Sequence, residues 1–149
     1  MNPQRKAALE QLMALGFRGP EIYLAELIPA VEMAWADGEI QANELAILEA
    51  YCEALVESLN QQVGARLFDL RRALSRLEVL TRKRLTPAQR EQALVALRTL
   101  SQGTRGDETR RRIVQWAEAV AAVDGSPVWD TRELFWLQHL RRSLMLEGA

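Results

Sequence analysis

The chain has 149 residues and a formal net charge of −1, with 48% hydrophobic and 26% charged side chains. These values describe an ordinary globular domain and exclude collagen-like, disordered and coiled-coil chains. So small a net charge gives no global field that would favour nucleic acid or a membrane surface.

Apolar residues recur at spacings of three and four nearly everywhere, and no alternating β-branched run occurs. The first stripe runs from Pro3 to Leu15 and stops at Gly16. A second helical region spans Pro20 to Ala36; Pro29 falls inside it and predicts a kink or two abutting helices. Leu45, Leu48, Cys52, Leu55 and Leu59 mark a helix from Gln41 to about Gln61. The spacing of Leu67, Leu70, Leu74, Leu77 and Leu80 predicts another from Ala65 to Lys83. Thr86-Pro87-Ala88-Gln89 is a start signal, with a threonine cap, a first-turn proline and a third-position glutamine. That helix runs to about Ser101. Asp107 is expected to cap a helix to Val123, and a last helix runs from near Asp130 to about Leu146. The sum is an all-α single-domain bundle of about seven helices, residues 1–149.

Charge is unevenly spread along the bundle. Residues 1–60 carry 3 basic and 10 acidic side chains, and residues 61–149 carry 16 and 10. One small core must be shared, so the two halves are expected to pair with each other. The single cysteine, Cys52, rules out an intramolecular disulfide and reads as a small buried apolar residue. The first residues show neither a secretory apolar run nor a cleavage site, and no window approaches a membrane span, so a cytoplasmic location is expected.

One motif occurs twice. Ala34-Trp35-Ala36-Asp37-Gly38-Glu39-Ile40 leads to Glu44-Leu45-x-x-Leu48, and Ala121-Ala122-Val123-Asp124-Gly125-Ser126-Pro127-Val128 leads to Glu133-Leu134-x-x-Leu137. Each is a helix end, an Asp-Gly turn, an apolar plug and a new helix, which suggests an internal pseudo-repeat. Two accounts of the turns stay open. In the structural one, Gly38 and Gly125 let the chain leave the helix, the aspartates accept turn N–H groups, and Glu44 and Asp130-x-x-Glu133 cap the next helices. In the functional one, the turns bind metal. Asp37-Gly38-x-Ile40-x-x-x-Glu44 matches the second half of an EF-hand loop, but Met33 and Trp35 stand where the first oxygen ligands belong. One turn offers too few carboxylates for calcium, which takes six to eight oxygens. Pooled, Asp37, Glu39, Glu44, Asp124, Asp130 and Glu133 would offer a hard divalent cation, calcium or magnesium, a cluster of carboxylates.

The string Ala34-Trp35-Ala36-Asp37-Gly38-Glu39-Ile40-x-x-x-Glu44 resembles the hallmark of the TerB-like tellurite-resistance proteins, and the resemblance extends from about Pro20 to Leu146. The second turn departs from the pattern at Val123 and Pro127 and is two residues longer. The resemblance implies an all-helical fold with two acidic turns in an internal repeat. It also implies a cytoplasmic bacterial protein linked to stress or metal-oxyanion resistance, acting as an acidic, metal-linked adaptor near membrane-associated complexes and not as an enzyme.

Other constellations are thin. His139 is the only histidine and reads as a half-buried or surface residue, so a zinc site of the common kind has no ligands. No phosphate-binding glycine loop is present. Arg71-Arg72, Arg76, Arg82-Lys83-Arg84 and Arg110-Arg111-Arg112 read as solvated or paired with the acidic half; no nucleic acid is expected. Trp35, Trp116, Trp129 and Trp136 read first as core packing. The sequence therefore points to a non-enzymatic binding module with a protein partner. Either the acidic turns hold a divalent cation, or they are structural and the module is purely an adaptor.

Overall fold

In the computed structural model of the chain, residues 3–36, 38–102, 104–122 and 131–144 are described. Among the described residues there are seven α-helices and one 3-10 segment, and no strand. The helices are α1 (Pro3–Ala14), α2 (Ile28–Trp35), α3 (Ala42–Val63), α4 (Leu70–Arg82), α5 (Pro87–Leu100), α6 (Thr104–Ala121) and α7 (Thr131–Ser143). The 3-10 segment, Gly19–Leu27, runs directly into α2.

Pro29 explains that junction. An α-helix continuing through it would press the proline ring on the carbonyl of Ala25. Instead the Ala25 carbonyl accepts the N–H of Ile28, closing a tighter three-residue turn. Two abutting helices are thus what the sequence leads one to expect. Helix α2 is apolar almost all round, and seven of its eight residues are buried, which makes it the centre of the bundle. It packs most heavily on α6, while α1 lies on α5 and α3 on α4.

Two expected helix starts shift. The stripe from Ala65 becomes helical only at Leu70. Gly64 ends α3 at a φ of +68°, which a side chain rarely tolerates, and the N–H groups of Gly64 and Ala65 close onto the carbonyls of Gln61 and Asn60. The Asn60 side chain then clamps Phe68 from both sides, donating to its carbonyl at 3.0 Å and accepting its N–H at 2.8 Å. Asp69 caps the new helix by accepting from the N–H of Arg71. Asp107, in turn, is no cap: α6 is already running from Thr104, and Asp107 pairs with Arg110 and Arg111 on the following turn. The Thr86 capping box forms as expected, with Thr86 and Gln89 each accepting the other's backbone N–H.

The tryptophans use their rings for packing and their N–H groups for stray carbonyls. Trp35 donates to the carbonyl of Leu80 in the last turn of α4, and Trp136 donates to that of Pro29, each at 3.1 Å. Trp116 stacks on Tyr51 with centroids 4.8 Å apart. Trp129 lies outside the described residues. Cys52 is fully buried, and burial, helped by Glu53 and Glu49, pushes its thiol up to about 11. It is an inert core residue.

Candidate functional site

The acidic 3-10/α2 segment is where the two halves of the chain meet. Glu21 pairs with Arg72 and Arg76 of α4 at 3.5 and 3.2 Å. Glu26 accepts both arms of the Arg112 guanidinium from α6 at 2.7 Å and also the hydroxyl of Tyr51 at 2.7 Å. Glu32 meets Arg84 and Arg90, each at 3.3 Å. The expected complementarity between an acidic first half and a basic second half thus takes a specific form: three glutamates of one segment, each held by arginines from beyond residue 70.

Glu26 and Glu32 are both buried, and burial of a carboxylate demands compensation. Glu26 has three short bonds, one of them from the fully buried Tyr51, although with Arg112 it also lines a second cleft of about 560 Å3. Burial and the facing Glu26 carboxylate hold the Tyr51 hydroxyl far above its ordinary pKa, so it stays a donor. The bond to Glu26, partly offset by burial, raises the pKa of Arg112.

Glu32 differs. Both of its arginines reach the same carboxylate oxygen, and burial raises its pKa despite them. It also forms part of the wall of an open cleft of about 690 Å3 lying between α2, α5 and α7. Arg84, Arg90 and Arg132 line this cleft, and Phe135 and Trp136 supply an apolar wall. At its rim, Nε2 of His139 lies 2.6 Å from the Glu91 carboxylate, tying α7 to α5. Phe135 is 70% exposed, an unusual position for a phenyl ring. This combination of apolar wall and convergent polar groups is the usual character of a binding site.

Of the six carboxylates expected at the acidic turns, Asp37, Asp124 and Asp130 lie outside the described residues. The other three have local settings. Glu39 is exposed at the first turn, beside Gly38, whose φ of +95° lets the chain leave α2. Glu44 is buried at the start of α3, where its carboxylate accepts the backbone N–H of Gln41 at 2.9 Å. Ile40 packs against the core, plugging the gap between the helices. Glu133 sits in the first turn of α7. Among the described residues, no three of His, Cys, Asp and Glu are placed to hold a metal ion. The described residues alone therefore do not fit calcium, which needs six to eight oxygens. The second turn, and with it the pseudo-repeat, also falls outside them.

Sequence reasoning missed Glu26, Glu32 and the cleft. A signal was present: Glu26 and Glu32 are charged residues inside the otherwise apolar run from Ile22 to Ala36. What no periodicity shows is that arginines 52, 58 and 86 positions later would reach them.

The fold and the site define an all-helical domain with an arginine-lined, aromatic-walled cleft. Compared with protein-family models, curated proteins and solved structures, the chain matches none. No helix among the described residues is long and apolar enough to cross a membrane.

Proposed function

We propose that this protein is a non-enzymatic, TerB-like binding module, a cytoplasmic stress-response adaptor that holds a partner protein in the cleft between α2, α5 and α7. The observation that carries this reading is the cleft itself, whose lining combines an exposed phenyl ring with a buried glutamate and its two arginines. Its Glu–Arg and Glu–His contacts are already paired, which suits holding a ligand better than moving protons.

In this reading the first acidic turn is a helix connector. What supports it is the bond between Glu44 and the Gln41 N–H, the return half of a capping box. Thermal unfolding of chelator-treated protein against calcium and magnesium tests that point. The expected result is no shift with either ion. A shift that Asp37→Asn and Asp124→Asn both abolish would instead give the turns a shared cation.

Partner capture from host-cell lysate tests the cleft. Wild type is compared with Phe135→Glu and with Leu67→Glu, an exposed position away from the cleft. A partner held by wild type and Leu67→Glu but lost from Phe135→Glu supports the reading. A partner held equally by all three contradicts it.

A further inference from the structure

We infer that the cleft recognises an oxyanion, a phosphate or carboxylate group, carried on a flat apolar body. The inference rests on the binding-module reading and deepens it by naming the chemistry of the ligand.

The argument starts from charge. Among the described residues, Arg84, Arg90 and Arg132 line the cleft together with two carboxylates, Glu32 and Glu91, and Glu91 is engaged by His139. Glu32 is 2% exposed and offers Arg84 and Arg90 a single shared oxygen. Each guanidinium has five N–H donors, so most of theirs are not used by this carboxylate. Glu32 therefore anchors two guanidiniums from beneath without neutralising both. Their side chains remain 35% and 21% exposed, open to an anion from the cleft. Among the described residues, Arg132 has no carboxylate partner.

Pro87, in the first turn of α5, and Arg132, in the first turn of α7, bring both helices to the cleft wall. Guanidiniums fixed by a buried carboxylate are pre-organised for a fork of hydrogen bonds to a planar or tetrahedral oxyanion. Phe135 and Trp136 then offer apolar faces for the body that carries it. The volume is within the range of small-ligand sites.

The test is a titration of the full chain with sodium phenyl phosphate, inorganic phosphate and benzyl alcohol, read by 15N NMR of backbone and indole N–H groups. Phenyl phosphate is expected to give saturable shifts at Ala88–Arg90, at Arg132–His139 and at the Trp136 indole. Inorganic phosphate should shift a subset of the same signals more weakly, and benzyl alcohol should need at least about tenfold more ligand. Arg132→Gln should weaken phenyl phosphate about three- to fivefold, and Phe135→Ala should bring it towards inorganic phosphate. Adding phenyl phosphate to the captured complex separates the sources. Release shows that the partner carries the oxyanion, and retention alongside saturable shifts shows a free phosphate ester. Absence of saturable shifts, or shifts unaffected by both variants, overturns the inference. If capture nevertheless stays sensitive to Phe135→Glu, the ligand class is wrong while the binding module stands.

Discussion

Glu26 and Glu32 lie six residues apart on one apolar segment, both buried and both paired with arginine, yet they are held in different ways. Glu26 receives a bidentate guanidinium and a tyrosine hydroxyl, all at 2.7 Å. Glu32 shares one oxygen between two arginines at 3.3 Å, on the wall of an open cleft. Close, complete pairing repays desolvation, whereas looser pairing does not. On the reading proposed above, the first glutamate serves the fold, and the second holds arginines in place for a ligand.

This contrast can be broken or sharpened at several points. The largest effect is expected from Arg112→Ala, which strips Glu26 of its fork and leaves a buried carboxylate; urea unfolding should show a loss of about 3–5 kcal/mol. Tyr51→Phe removes one bond to the same carboxylate and should cost about 1–3 kcal/mol, with Trp116 still stacked on the ring. Glu44→Ala removes the return half of the α3 cap and should cost about 0.5–2 kcal/mol, whether or not calcium is present.

A subtler effect is pH dependence at Glu32. Burial raises its carboxyl above the ordinary value, against the pull of Arg84 and Arg90. The folded chain then binds this proton more tightly than the unfolded one. The stability it contributes is full below the unfolded pKa and is lost as pH rises through the raised folded value. Wild type should therefore lose stability relative to Glu32→Gln over that window, measured by unfolding at a series of pH values. A difference that stays flat or runs the other way would remove the contrast. Phe135→Glu is expected to change stability least, by about 0.5 kcal/mol or less, because the ring is mostly in solvent.

The helices were legible because their signals are local. Thr86-x-x-Gln89 and the leucine spacing need only a few neighbouring residues to be read. The late start of α4 was not legible, because it depends on Asn60 reaching eight residues ahead to Phe68. Asp107 misled for a related reason: aspartate suits a helix cap, but it also suits the first turn of a helix already begun, paired with arginines three and four residues on. The site was harder still. The uneven charge of the two halves announced that they would pair, but which glutamate met which arginine depends on helix packing. The Asp-Gly motif drew attention to the turns, while the cleft is assembled from Glu32, Arg84, Arg90 and Phe135, residues spread over more than 100 positions of the chain.

The most direct measurement sets Glu26→Gln beside Glu32→Gln in urea unfolding at pH 7, with α-helical signal and tryptophan fluorescence followed together. The expected result is that Glu26→Gln loses at least about 2 kcal/mol more than Glu32→Gln, which stays within about 1 kcal/mol of wild type. Equal losses, or a larger one at Glu32, would mean that both glutamates hold the core and that the cleft is only a gap between helices.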